Sequence, residues 1–444
     1  MIGIVISKAD PASVLIGEAL RSLTEFEPID GGARTDGAVL REFDSLHIEL
    51  DGVDREFEGC DLLVFASRHR GETGPLLSAH PTGNLGPAEY GGTDGSLART
   101  GPNAIAHALA ALDRHAPTSY ETGLEGTHHG PSELSTPAIF IELGSGPEQW
   151  EDLSGARAVA SAILDLRGVE PDTDRAIVGF GGGHYVPRFE RIVRETDWAV
   201  GHIAVDWALE AMGNPQSNMG VIDELFEQSN ASLAVLDDEP ALRSAIESLG
   251  YRVVSETWLR ETDGVAISLV ERLESSVCAI EDGLRLGERA PAVFDPASLN
   301  RFEIPEQLLA ELNGIDREQL RAELEALSVA FTTTDNGATA GQLVVTDEGV
   351  DRNELMDLVT RLLHRKYDAV ERDDDRLIVH RSAFVPERAR ELGIPDGPAF
   401  GRLANGQAID LDGETINPED VRERQTHMFS SVCLSDTRHT SGER

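Results

Sequence analysis

Glu121-Thr122-Gly123-Leu124-Glu125-Gly126-Thr127-His128-His129-Gly130-Pro131 is followed closely by Pro137-Ala138-Ile139-Phe140-Ile141-Glu142-Leu143-Gly144. The first stretch is polar and turn-rich, and it presents two adjacent imidazoles where a helix or strand is hard to continue. The second is a short apolar run, β-branched and aromatic, that predicts a buried strand ending in an acid and then glycine. A strand delivering a carboxylate at its carboxyl end beside a His doublet is how an α/β sheet assembles a site. In extended backbone successive side chains alternate, so His128 and His129 are expected to divide the work. One would hold metal or substrate and the other orient it or move protons.

Working outward, Ile2–Ile6 predicts a first strand and Pro11–Leu23 a helix with apolar residues at helical spacing. Leu46–Leu50 reads as a strand, and Cys60–Ala66 as a buried strand running into Ser67-Arg68-His69-Arg70. A long Gly- and Pro-rich loop follows to Gly92, carrying His80-Pro81-Thr82-Gly83-Asn84, and a loop of that length is usually functional. Helices are expected at Pro102–His115, Ser154–Leu166, Val221–Gln228 and Pro240–Leu249, and strands at Arg175–Phe180 and Trp198–His202. Strands alternating with helices predict an α/β fold: three layers, α/β/α, around a mostly parallel sheet. The character changes near Pro291, where helical segments Pro305–Leu312 and Arg317–Leu327 lead into a mixed region without further His-Gly motifs. The expected division is a catalytic domain over 1–288, a smaller α+β C-terminal domain over 289–433, and a polar, disordered tail over 434–444.

The chain has 444 residues, with 38 Lys+Arg against 79 Asp+Glu and a formal charge of -41. The acids are spread along the chain, so the surface is a near-continuous carboxylate layer that repels itself in dilute salt. At roughly 1 M salt the Debye length falls to about 3 Å and the repulsion is screened, which points to a molar-salt cytoplasm. Three scattered cysteines exclude a disulfide framework or a Cys-type zinc site and fit a cytoplasmic protein. Met1–Ile6 lacks the basic start of a signal peptide, and no apolar run approaches the roughly 20 residues of a membrane span, so no membrane partner is expected.

Five segments bring polar groups to strand ends: His69, His80 to Asn84, His128 with His129, Glu142, and His184 with His202. A single His in such a place is more often a satisfied polar residue than a ligand. Here all of these fall before residue 203 and most stand beside Gly or Pro. Neutral imidazole and carboxylate are the usual ligands of catalytic zinc, which lowers the pKa of its water to about 7. His69, His80, His184 and His202 are the expected ligands of one or two Zn2+ ions, and His128, His129 and Glu142 the expected catalytic groups, with Glu142 equally open to binding the metal or to orienting one of its ligands. Arg68, Asn84, Tyr90, Gly181, Gly182, Gly183 and Arg188 are the expected substrate contacts.

Gly179-Phe180-Gly181-Gly182-Gly183-His184 follows a predicted strand but does not match a dinucleotide fingerprint. His184 stands at the sixth position, and no acid closes a second strand about 20 residues on. The glycines are expected instead to let backbone amides approach a phosphate or ribose, or to present His184.

Taken together, Ser67-Arg68-His69-Arg70, His80–Asn84 with Tyr90-Gly91-Gly92, Thr127–Pro131, Phe140–Gly144, Gly181–Tyr185 with Pro187-Arg188-Phe189, and Gly201-His202 resemble the archaeal- and plant-type D-aminoacyl-tRNA deacylases. The motifs occur in the family's order over roughly residues 1–285. The resemblance implies hydrolysis of the ester joining a D-amino acid to the 3′ end of tRNA, removal of mischarged D-amino acids, and an association with zinc. It also implies an α/β/α architecture akin to peptidyl-tRNA hydrolases and nucleoside phosphorylases. Leu392–Leu403 further looks like a short segment of the metallo-β-lactamase-type tRNA 3′-processing endonuclease, a hint of a tRNA-related accessory domain, although a plain structural extension is the favoured reading. The acidic balance is unlike a tRNA binder's basic face; at molar salt counterion release contributes little, and recognition should rest on the terminal adenosine. A monomer is expected. A zinc peptidase or amidohydrolase, or a non-catalytic tRNA-binding factor, are the competing readings.

Overall fold

A computed structural model describes residues 1–237, 239–293, 298–411 and 413–435. It divides the chain into two units, Met1–Asp263 and Gly264–Arg444.

The first unit is α/β. Its main sheet has eight strands: β1 (Ile2–Ser7), β2 (Glu27–Ile29), β3 (Gly32–Thr35), β4 (Ala38–Phe43), β5 (Leu62–Arg68), β6 (Leu76–His80), β7 (Glu121–Leu124) and β8 (Ala138–Gly144), in the order β2-β3-β4-β1-β5-β8-β6-β7. The central β4, β1, β5 and β8 run parallel, whereas β6 runs antiparallel to β8. The central strands β1 and β5 are buried almost end to end, as expected where both faces are covered. Pro11–Leu23 begins where Asp10 accepts hydrogen bonds from the backbone amides of Ala12 and Ser13, with Pro11 at the first helical position. The other Asp10 oxygen accepts from the amide of Arg68, tying the end of β5 to the start of that helix.

Pairing alternates the two faces of the sheet. Val5, Leu63, Phe65, Ala138 and Phe140 share one core, closed by Val53, Phe57 and Leu134 from loops. Glu142 continues the Phe140 side of β8. The segment Leu46–Leu50, expected as a strand, instead forms a single turn of 3-10 helix at His47–Glu49. His47 is buried edge-on against Phe65 and Phe140, 5.8 and 6.0 Å between ring centroids, so the segment caps the sheet face. The ladder position beside β1 goes to β4. The long loop after Arg68 also holds more structure than its composition suggests, since β6 lies inside it.

A second, wholly parallel sheet comprises β9 (Ala176–Phe180), β10 (Ala199–Ala204), β11 (Leu233–Val235) and β12 (Arg252–Val253), in the order β10-β9-β11-β12. The β9/β10 register shifts between Val200 and Ile203, a bulge at Gly201-His202.

The second unit is built on antiparallel sheets. Leu284–Leu286, Ala330–Thr334, Thr339–Thr346, Asn300–Glu303 and Cys433–Leu434 form one of five strands. The pairing of Leu284–Leu286 with Ala330–Thr334 places the segment before Pro291 with this unit. The helix Glu306–Leu327 breaks at Asp316 (φ -160°, ψ 92°), matching the two helical segments expected there. Asp316 accepts from the amide of Gln319 and so caps the second half. Ala389, Ile394, Leu403, Ile409 and Val421 form a small separate core around Leu392–Leu403. Of the predicted tail, Leu434 still pairs in the sheet, while 436–444 lie outside the described residues.

Candidate metal and catalytic centre

Three strands of the main sheet deliver the centre. β5 runs into His69, β8 carries Glu142, and β6 ends in His80. Ser67 pairs with Glu142, and His80 with Phe140. Because β6 runs against β8, its carboxyl end lies over the middle of β8. The imidazoles therefore gather above the sheet face and not only along one rim. Glu125 follows β7 directly, and His184 enters from the loop after β9, where the Gly126 amide donates to the His184 carbonyl.

Two groups result. His80, His128 and His129 each offer a ring nitrogen, and His69, Glu125 and His184 offer two nitrogens and a carboxylate oxygen; within each group these atoms lie within 4.8 Å of one another. In the first group every Nδ1 faces a backbone carbonyl: Pro81 at 3.0 Å for His80, Gly126 at 2.8 Å for His128, Gly130 at 2.9 Å for His129. An Nδ1–H donated there leaves each Nε2 lone pair free, the tautomer a ligating histidine needs. The doublet does not diverge as extended backbone would require. His129 adopts a left-handed φ of 44°, which brings its ring within 4.3 Å of that of His128. Thr82 holds this turn by donating to the carbonyls of His129 and Pro131.

The turn is also locked by close backbone crossing. Gly130 donates to the carbonyl of Tyr90, and a Cβ on Gly130 would collide with the backbone of Gly91 and Gly92.

Glu125 is the residue that sequence reading passed over. Its side chain is fully buried, with His184 Nε2 at 2.7 Å, His69 Nδ1 at 3.3 Å and His128 Nε2 at 3.9 Å. Yet neither carboxylate oxygen has a partner with hydrogen-bond geometry, nor does His80 Nε2. Buried polar atoms without partners are rare, and an ion among them is one standard resolution. A Glu-x-x-His spacing to His128 was the available signal. Tyr185, likewise unassigned, places its hydroxyl 3.0 Å from His69 Nε2. Glu142 lies between the two groups, 3.6 Å from His69 Nδ1 and 3.6 Å from His80 Nε2.

Charge follows this layout. Burial alone would make both carboxylates harder to ionise, but the imidazoles around them hold Glu125 and Glu142 well below the usual range. Burial works against a charged His69, and the two glutamates overcome it, raising the group to about 11. Burial, reinforced by the neighbouring His80, depresses His128 strongly and His129 to about 4, so both stay neutral. His184 and His128 are the open side, with 32% and 17% of their side chains exposed, against none for Glu125.

The other expected contacts separate. His202 is a correction: the bulge turns it inward, Nε2 reaches the carbonyl of Ala98 at 2.9 Å, and Nδ1 reaches Thr127 Oγ1 at 3.1 Å. With both nitrogens engaged it braces the doublet loop and is not available as a ligand. Asn84 donates to the carbonyl of Gly91 and is likewise internal. Arg188 is held by Asp237 and Glu256 at 2.7 Å each, so it is not a free cation for substrate. Arg68 lies over the Trp150 ring, 5.3 Å from its centroid. Tyr90 is exposed, and Gly181 and Gly182 take positive φ values of 97° and 89° at the end of β9, with Gly183 leading to His184.

Residues 56–254 match the family profile described as D-aminoacyl-tRNA deacylase. A D-aminoacyl-tRNA deacylase of Natronomonas pharaonis is 50% identical over 441 residues, covering 97% of this chain and 100% of that one. The chain belongs to the D-aminoacyl-tRNA deacylase family. A second member, from Haloarcula marismortui, is 44% identical over 97% of this chain and 100% of its own, and one from Methanoregula boonei is 31% identical over 84% and 86%. The deacylase architecture is also that of a crystal structure titled a conserved protein of unknown function: TM-score 0.53 and 28% identity, covering 59% of this chain and 98% of that one.

Proposed function

We propose that the histidine–glutamate cluster is the centre at which this chain hydrolyses the ester of D-aminoacyl-tRNA, freeing the D-amino acid, and that it does so with one or two zinc ions. The fully buried carboxylate of Glu125, with imidazole nitrogens at 2.7, 3.3 and 3.9 Å but no hydrogen bond of good geometry, carries the metal part of this reading. Three imidazoles whose Nδ1 atoms face backbone carbonyls and leave Nε2 to ligate, and a His-Glu-His set beside them, are donor sets suited to zinc. When bound there, the metal would polarise the ester carbonyl and acidify water.

The chain's own groups supply the rest. His80, His128 and His129 hold one position, and His69, Glu125 and His184 the other, with Tyr185 orienting His69. Substrate enters on the exposed side, at His184 and His128. Glu142, ionised and between the groups, accepts the proton of the attacking water as its oxygen bonds to the ester carbon. The same proton passes to the ribose oxygen as the C–O bond breaks, so the products are a D-amino acid and tRNA with a free 3′-terminal hydroxyl. The dense carboxylate surface supports a protein working in a molar-salt cytoplasm, and no described helix is long and apolar enough to cross a membrane.

The test is deacylation of D-Tyr-tRNA and L-Tyr-tRNA in molar KCl, before and after chelation, alongside elemental analysis. Loss of D-selective activity on chelation, with return on adding zinc, is expected. Full activity in metal-free protein would sink the metal reading.

A further inference from the structure

At the carboxyl ends of β9, β10 and β11 lies a crevice of about 520 Å³, outside the centre just described. It stands where the strand order turns back: β9 leads to β10 on one side, and β11 returns on the other. In parallel sheets that is where ligands settle. Its walls include Phe180, Gly181, Leu209, Leu236, Asp206 and Asp237, so it combines an apolar body with acceptors at its lip. The volume lies within the usual range for small-molecule sites, roughly 300–1,000 Å³.

The two aspartates converge on the glycine turn. Asp206 Oδ1 accepts from the amide of Gly182 at 3.0 Å, and the Asp206 amide donates back to the Gly182 carbonyl at 2.9 Å. A Cβ at Gly181, whose φ is 97°, would lie 2.8 Å from Asp237 Oδ2 and 3.7 Å from Asp206 Oδ1. Among the described residues, nothing donates to Asp206 Oδ2 or Asp237 Oδ2. Asp206 comes two residues after β10, which ends at Ala204. The unit is therefore a strand, a glycine turn, a helix (Pro187–Glu195), a second strand, and an acid. This corrects the expectation that no acid closes the second strand. A carboxylate so placed accepts from the hydroxyls of a ribose. The acids lining the crevice, Glu210 and Glu239 included, disfavour a phosphate inside it.

We propose that this crevice binds a purine nucleoside, namely the terminal adenosine of the tRNA substrate. The base lies between Leu209 and Leu236, and a ribose hydroxyl donates to Asp206. This rests on the functional reading above and names where the leaving group is held. Gly181 is three residues from His184, a chain reach of on the order of 10 Å at most. A nucleoside spans that gap, whereas the amino group of the D-amino acid, two bonds from the ester carbon, must stay at the metal centre.

The experiment is equilibrium dialysis of the full-length protein against adenosine, 2′-deoxyadenosine, uridine and AMP in molar KCl. Saturable adenosine binding is expected, with uridine weaker. Leu209→Trp, which fills the crevice, should abolish it, and Asp206→Asn, which keeps the Gly182 bond, should weaken it about tenfold, the scale of a charge-assisted hydrogen bond. Uncharged tRNA should compete with adenosine, and tRNA lacking its terminal A should not. In deacylation, Leu209→Trp should raise KM with kcat little changed and metal content intact. The proposal is overturned if adenosine does not bind, if neither variant alters its binding, or if free AMP competes while intact tRNA does not. Adenosine binding that both variants weaken, in a protein that does not deacylate D-Tyr-tRNA, would instead overturn the functional reading and leave the crevice assignment standing.

Discussion

His80 lies flat on Phe140, ring centroids 5.0 Å apart and planes within 12° of parallel. Phe140 in turn stacks on Phe65 at 4.7 Å and 10°. The imidazole is thus supported from below by two rings standing on neighbouring strands, while its Nδ1 is anchored at Pro81. Phe140→Leu keeps the apolar face but removes the flat support. We expect a loss of about 1–2 kcal/mol in stability and a larger relative loss of bound metal, measured by denaturation and elemental analysis on the same sample. Unchanged metal content would show that the stack is packing alone.

The two buried glutamates should fail differently. Glu125→Gln removes a carboxylate lodged among three imidazoles, so metal content should drop by an ion per chain. Glu142→Gln should retain metal yet lower kcat by about 10²–10⁴-fold, the usual worth of a general base. Equal metal loss in both variants would remove Glu142 from the proton-transfer role.

His128 and His202 make a second contrasting pair. His128→Ala should abolish measurable deacylation with little change in stability. His202→Ala leaves the Ala98 carbonyl without its side-chain partner in the interior, and the Thr127 hydroxyl with only the Ile203 amide, at a cost of about 1–3 kcal/mol. The folded fraction should still bind metal as wild type does.

Acid sensitivity follows from two histidines outside the donor sets. Burial depresses both His47 and His202 to about 4, against an ordinary value of 6.5. Each is neutral in the fold, so the unfolded chain takes up protons first as pH falls. Their contribution is fully present above pH 6.5 and is lost progressively toward pH 4, on the order of 3 kcal/mol each. Thermal melts of metal-free protein in molar KCl should fall across that window. A His202→Asn variant should show a shallower decline.

Dilution of salt is the remaining lever. With a formal charge of -41, melting temperature should drop steeply as KCl is lowered from molar to tenth-molar, where the Debye length grows from about 3 to 10 Å. A flat response would mean that the acids are compensated locally.

Much of the fold was legible because its signals are strong and local. Pro11–Leu23 and Pro102–His115 begin with proline and carry apolar residues at helical spacing, and both form as read. The buried strands around Val64 and Ile141 are continuous apolar runs. What failed depended on pairing partners. Leu46–Leu50 has a strand's composition, but its His47 packs edge-on against two phenylalanines. β6 hid inside a loop because five residues between glycines give little periodicity. Within the candidate cluster, the residues next to strand ends converge as their position suggests. Glu125 was missed because its one local signal, the three-residue spacing to His128, is weak among so many acids; its burial is what sets it apart. His202 was misjudged for the opposite reason, since a bulge redirects its ring, and bulges leave no composition signal.

The crossing of Gly130 over Gly91 and Gly92 has an evolutionary consequence. A Cβ on Gly130 would strike the backbone of Gly91 and Gly92, one on Gly91 the carbonyl of Ile48, and one on Gly92 the side chains of Asn84 and Ser132, so Gly130 cannot acquire a side chain unless the facing chain moves or the histidine doublet moves with it. The exterior of such a protein is free to drift toward any charge its surroundings favour, while this junction admits one residue type. Adaptation to brine could therefore rewrite most of the surface and leave the doublet's mounting untouched.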